Sequence, residues 1–190
     1  MFLYFLKFLE MIVFVGGIGY TIGSVLQKKF AWICIMIYAP VLIFLSLYNR
    51  IYANSVLYGY FFIQAIIAYR KWNNNDTTKP SLQPSFANNT KRGIVGLICF
   101  LIFVSIYTFF IKFTNNSSPL LDSVIFSIKV AAMYFTSFKN VEGVVLMGTG
   151  NLLSALMFVF NGLYISSPMY IFSFVFNSYG TYKWLKQIKK

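Results

Sequence analysis

The sequence holds no histidine and only four acidic residues among 190. Without histidine, neither a Ser-His-Asp triad nor a Cys-His pair can be assembled. The two cysteines, Cys34 and Cys99, both lie inside apolar runs and lack metal-ligand spacing, so a zinc site has no support. No metal or cofactor is expected, and no enzyme activity. Charged residues make up 11% of the chain, against roughly 25% in a soluble domain. The glycines of "GGIGYTIG" and "GTG" are followed by neither a strand nor Lys-Ser/Thr, so they are not a phosphate loop; they suit close helix approach instead. No small-residue cleavage site follows the first apolar run, which reads as a full span and not as a cleaved signal.

What fills the chain is apolar surface: 58% hydrophobic and 21% aromatic residues. The apolar runs are continuous and not alternating, which predicts an all-α integral membrane protein and not a barrel. Seven transmembrane helices are expected, over residues 8–26, 30–48, 52–72, 93–113, 119–138, 142–160 and 164–184, each near the roughly 20 residues that cross a bilayer core. Lys7 and Glu10 give the first an amphipathic start. Between the third and fourth lies "NNNDTTKPSLQPSFANNTKR", a polar stretch that predicts a flexible loop with no core of its own.

The net charge of +12 does not indicate nucleic acid, because the bases cluster in short segments between apolar runs. One side of the seven-span arrangement collects Lys28, Lys29, Arg70, Lys71, Lys79, Lys91, Arg92, Lys139, Lys183, Lys186, Lys189 and Lys190; the other collects Lys7, Arg50 and Lys112. The positive-inside rule then places the N-terminus outside and the C-terminus in the cytoplasm, across a cytoplasmic (inner) membrane.

The chain also repeats itself. "LYNRIYANSVLYGYFFIQAIIAYRKW" (47–72) aligns without a gap on "VFNGLYISSPMYIFSFVFNSYGTYKW" (159–184) at an offset of 112. Asn49, Tyr52, Ser55, Tyr58, Lys71 and Trp72 meet Asn161, Tyr164, Ser167, Tyr170, Lys183 and Trp184. Spans three and seven cross in the same direction, so the reading is a 3+1+3 parallel repeat. Its parts are a first three-helix unit (1–72), a cytoplasmic loop (73–92), a linking helix (93–113), a second three-helix unit (119–184) and a basic cytoplasmic tail (185–190). Parallel repeats are a transporter architecture, with the substrate held near the midplane between the units.

These stretches resemble the PnuC-type vitamin transporter family. Tyr52, Ala53 and Trp72 match its first-half signature, with Asn54 in place of an Asp and Ala68-Tyr69 in place of Gly-Trp. Gly162-Leu163-Tyr164 opens and Gly180, Tyr182 and Trp184 close a likeness to its second-half signature, and "KNVEGVVLMGTGN" is similar to its approach to span six. The resemblance implies the 3+1+3 fold and carriage of nicotinamide riboside, with a cytoplasmic kinase trapping the solute by phosphorylation. One departure bears on the substrate. The family's span six carries Trp-x-x-Trp-x-x-x-Asn, and here those positions are Val144, Met147 and Asn151. Two rings that would attract a pyridinium cation, by about 0.5–2 kcal/mol each, are absent. The offset maps Val144 onto Trp32, so one Trp survives in the other half.

Candidate substrate-binding residues follow: Asn151, whose carboxamide offers donor and acceptor to ribose hydroxyls; Met147 and Trp32 from the motif register; and Gln64 and Asn177 at nearly equivalent repeat positions, each equally readable as helix packing. Lys129 sits about midway along the fifth span, where a Lys costs roughly 2.5–3.5 kcal/mol on insertion scales. It is expected to face a polar cavity or a carboxylate, with Asp122 and Glu142 as candidates. Lining the path, it would disfavour a cationic substrate. Tyr58, Phe62, Tyr134, Phe138, Tyr170 and Tyr179 supply candidates for stacking on a planar base.

The expected function is facilitated diffusion of a vitamin precursor, nicotinamide riboside first. A same-fold carrier of thiamine, riboflavin or a nucleoside and a non-transporting membrane subunit remain as alternatives. The expected partners are the small-molecule substrate, the lipid bilayer and the kinase, with no nucleic acid; a homo-oligomer is left open.

Overall fold

Long apolar segments satisfy their backbone polar groups in a membrane only by coiling on themselves. In the computed structural model every named element is a helix. It describes residues 2–48, 52–72, 82–114, 118–160 and 167–189. Among them are seven helices: α1 (Phe2–Val25), α2 (Phe30–Tyr48), α3 (Tyr52–Trp72), α4 (Asn89–Phe113), α5 (Pro119–Ser137), α6 (Val141–Phe160) and α7 (Ser167–Ile188). Four are long and apolar enough to cross a membrane by length and composition, over Tyr4–Val25, Phe30–Tyr48, Asn89–Phe113 and Pro119–Ser137. The expected seven are thus not all equal by that measure. α6 qualifies only over the shorter Val141–Met157, and α3 and α7 are diluted by Ser, Asn, Gln and basic residues.

Hydroxyls inside these helices are satisfied locally. Ser123 donates to the Pro119 carbonyl, Ser127 to Ser123, Thr136 to Ala132 and Ser154 to Gly150, all at 2.6–2.8 Å. This back-bonding lets small polar residues sit in apolar helices without stranding a donor.

The chain divides into two compact units, Met1–Gln83 and Pro84–Lys190. In the first, α2 packs against both α1 and α3; in the second, α4 packs on α5, α5 on α6 and α6 on α7. α5 is the inner helix of its unit, burying Ile125, Phe126, Ala131, Ala132, Met133 and Phe135, whereas α4 buries none of its residues.

The turns α1–α2 and α5–α6 are built alike, at the same offset of 112. Gln27 and Lys139 both take positive φ, 57° and 53°. Gln27 N–H donates to the Ser24 carbonyl and Lys139 N–H to Thr136, each at 3.0 Å; Lys28 N–H donates to Gly23 and Asn140 N–H to Phe135, at 2.8 and 2.9 Å. This is a Schellman ending, used twice with a non-glycine residue in the left-handed position. Burial keeps the same register. Ala31, Trp32, Ile35 and Ala39 of α2 are buried, as are Gly143, Val144, Met147 and Asn151 of α6. Ser55, Phe61, Ala65 and Ala68 of α3 are matched by Ser167, Ser173, Asn177 and Gly180 of α7. The sequence pairs Asn49–Asn161 and Tyr52–Tyr164 rest on Asn49, Asn161 and Tyr164, which lie outside the described residues.

Gly143 marks the closest approach of α6 to the end of α5. A Cβ there would stand 2.3 Å from the Thr136 backbone nitrogen and 2.4 Å from its Oγ1. Backbone cannot yield as a flexible side chain does, so Gly143→Ala is expected to cost about 1–3 kcal/mol by forcing the helices apart. Gly59→Ala is the control, because a Cβ at Gly59 meets nothing within 4 Å. Thermal unfolding in detergent should show a lowered midpoint for the first and an unchanged or raised one for the second.

The polar stretch ahead of α4 is not loose throughout. Ser85 bridges to Asn140: Ser85 N–H donates to the Lys139 carbonyl and Val141 N–H to the Ser85 carbonyl, at 3.1 and 3.0 Å. Glu142 accepts from the Ala87 amide at 3.1 Å and from Arg92 Nε at 2.9 Å. Asn88 caps α4 by accepting from Lys91 N–H at 2.8 Å, so this helix starts at Asn89, four residues before the expected Gly93. Burial at this turn lowers the Lys139 pKa below the usual lysine range.

Candidate substrate site

Met147 and Asn151 are four residues apart on α6, so they share one face. Both are buried, Asn151 to 7% exposure, which is where a carboxamide needs a partner. No hydrogen bond to that carboxamide occurs among the described residues. One turn earlier, Gly148 faces α7: a Cβ on it would meet the Asn177 Cβ at 3.4 Å. Asn177 is itself buried, and its Nδ2 donates to the Ser173 carbonyl of its own helix at 2.7 Å. Part of its capacity therefore goes to α7, leaving the carboxamide oxygen.

Lys129 lies across the missing side chain of Gly150. Its Cγ would stand 3.2 Å from a Cβ there. The ammonium reaches α7, with Nζ 4.9 Å from the centroid of the Tyr170 ring, within the range of a cation–π contact. Of its two candidate carboxylates, Glu142 is engaged elsewhere, in an ion pair with Arg92 at the start of α4, whereas the charge of Asp122 acts on Lys129 from the same helix. The second unit carries Lys129 on α5, Met147 and Asn151 on α6 and Asn177 on α7, with α6 meeting α5 at Gly150 and α7 at Gly148.

Trp32 and Gln64 belong to the first unit. Trp32 is fully buried between Tyr20 and Trp72, with centroid distances of 6.0 and 5.1 Å, the second edge-on at 90°. Its indole N–H is buried with no hydrogen-bond partner, a state that calls for an explanation in any folded protein. Gln64 is half-buried on α3. It is eight residues from Trp72, about 12 Å along the helix at 1.5 Å per residue, so it does not share the depth of the Trp32 cluster. The environment of Trp32 was not readable from spacing: Tyr20 carries no motif, and Trp72 reads equally as an interface anchor.

No cluster of side chains able to hold a metal ion occurs among the described residues. Four helices long and apolar enough to cross a bilayer mark a multi-pass membrane protein. The model of the family "Nicotinamide mononucleotide transporter" matches residues 7–186, and the chain belongs to that family. It is a transporter and not an enzyme. A solved structure described as "Crystal structure of the Vitamin B3 transporter PnuC" is similar in fold, with TM-score 0.74 and 15% identity over 96% of this chain and 83% of that one. No curated protein matches the chain in sequence. The expected PnuC-type membership is thereby established, and the all-helical fold with it.

Proposed function

We propose that this transporter carries a vitamin B3 precursor, nicotinamide riboside first, across the cytoplasmic membrane by facilitated diffusion. All seven helices cross, with the N-terminus outside and the basic C-terminus in the cytoplasm. The chain is a parallel repeat of two three-helix units, with α4 as the linking helix. The matched Schellman turns at Gln27 and Lys139 and the shared burial register of α2 with α6 and α3 with α7 support that plan. Asn151, Met147, Asn177 and Lys129 are the substrate-binding candidates of the second unit, and Trp32 and Gln64 those of the first.

The observation that carries this reading is Asn151: a buried carboxamide at mid-helix in a member of a transporter family, without a hydrogen bond among the described residues. A group so placed is costly in a membrane unless a solute completes its bonds. The sequence has four acidic residues and no histidine from which to build a proton relay, so a downhill carrier with a cytoplasmic kinase trapping the product is the simplest mechanism.

A second reading rests on Lys129. An ammonium at mid-helix over Tyr170 favours a neutral or phosphorylated nucleoside over a permanent cation. A ligand-induced thermal-shift screen separates the two. Nicotinamide riboside, nicotinamide mononucleotide, thiamine, riboflavin and neutral nucleosides are offered to the purified protein. The first reading expects the largest shift from nicotinamide riboside. A larger shift from the mononucleotide or a neutral nucleoside selects the second, and a response only to thiamine or riboflavin rejects both.

A further inference from the structure

The second unit carries a groove of about 500 Å³ between α4, α5 and α6. Val95, Gly96 and Cys99 form one wall, Ala131 and Phe135 another, and Leu146 a third, and the lining is almost wholly apolar. Arg92, Glu142 and Phe86 stand at one end of it. None of the substrate-site residues lines it.

That end is basic where a helix start prefers acid. The first turn of α4 contains no acidic residue; it carries Lys91 and Arg92 instead, against the positive end of the helix dipole. Glu142 offsets one charge through Arg92, yet the Arg92 side chain keeps 45% of its surface exposed. Lys91 is exposed, its Nζ 5.3 Å from the centroid of Phe138. Lys139 joins the same corner through its carbonyl, which accepts from Ser85 N–H, next to Phe86. The result is an apolar slot with an excess of positive charge at one mouth. Basic pockets beside transmembrane helices on the cytoplasmic side are suited to anionic lipid headgroups.

We propose that this groove is a binding site for an anionic phospholipid, one acyl chain lying along Gly96 and Ala131 and the phosphate held by Lys91 and Arg92. Charge complementarity selects this occupant over a zwitterionic lipid, because an apolar slot alone accepts any acyl chain. The proposal rests on the membrane orientation proposed above, and does not depend on which solute is carried.

Native mass spectrometry of the purified full chain, exposed to equal concentrations of phosphatidylglycerol and phosphatidylcholine, tests it. Retention of one phosphatidylglycerol per chain in preference to phosphatidylcholine is expected. Gly96→Phe fills the groove from an open side, since a Cβ at Gly96 meets nothing within 4 Å, and should abolish the preference. Lys91→Gln leaves the groove open and should weaken phosphatidylglycerol retention about fivefold, the worth of one basic side chain near an anionic surface. Equal retention of both lipids by the wild type, or an unaltered preference in Lys91→Gln, overturns the proposal. So does a chain–chain complex that disappears in Gly96→Phe while lipid retention stays constant, which would make the groove an interface between copies.

Discussion

Asn151→Leu is expected to abolish measurable solute binding while the protein stays folded. Leu has the branched outline and heavy-atom count of Asn with bulkier methyl ends, and it is the better residue for a buried position in a membrane helix, so the unliganded unfolding midpoint reports whether α6 still packs. What disappears is a donor and an acceptor. A hydrogen bond lost at a buried site leaves the ligand's own group unpaired, and costs about 1.5–3 kcal/mol, tenfold to more than a hundredfold in affinity. Ligand-induced thermal shift and the unliganded unfolding midpoint, measured on the same preparation, separate the two effects. A normal midpoint with no ligand shift is the expected pair. A normal ligand shift removes Asn151 from the site.

Lys129→Met is expected to change preference by a comparable amount. The substitution keeps an unbranched stem against Gly150 and removes the charge that sits over Tyr170. At about 6 Å and an effective dielectric near 20, two positive charges repel by roughly 3 kcal/mol, which is a hundredfold or more in affinity. Competition between cationic nicotinamide riboside and a neutral nucleoside should therefore swing toward the cation in the variant. An unchanged ratio means that Lys129 does not set selectivity, its charge being offset by Asp122 or snorkelled away from the path.

The helices were legible in the sequence because an apolar run near 20 residues long has few other uses. The likeness at an offset of 112 was legible where side chains are kept, in α3 and α7, and invisible in the turns. Gln27 and Lys139 have nothing in common as residues, yet both end a helix in the same left-handed conformation. Backbone hydrogen bonds carry that equivalence, and they leave little trace in residue identity. The stretch before α4 was readable as polar but not as docked. Its fastening depends on Glu142, which lies 55 residues beyond the Ala87 amide it accepts from. The cap "NNTKR" was in plain view, and Asn88 is an ordinary N-cap residue; the polar composition around it hid the helix start.

Among the candidate residues, the mid-helix position of Asn151 and Lys129 was readable from counting alone. The neighbours were not, because contact across helices depends on rotation about each axis. Tyr170 as the partner of the Lys129 ammonium and Tyr20 as a wall of the Trp32 cluster emerge only once the helices are packed. The offset also shows an asymmetry. Asn151 and Asn177 correspond to Ala39 and Ala65, so the polar groups are concentrated in one unit.

Flux decides whether the chain carries a vitamin B3 precursor. Purified protein in liposomes should admit radiolabelled nicotinamide riboside down its gradient, without an imposed ion gradient or potential. A nicotinamide riboside kinase with ATP inside the lumen should raise accumulation beyond the external concentration. Asn151→Leu liposomes should take up no more than protein-free ones. Uptake that requires a proton or sodium gradient contradicts facilitated diffusion, and wild-type liposomes no more permeable than protein-free ones contradict the carrier itself.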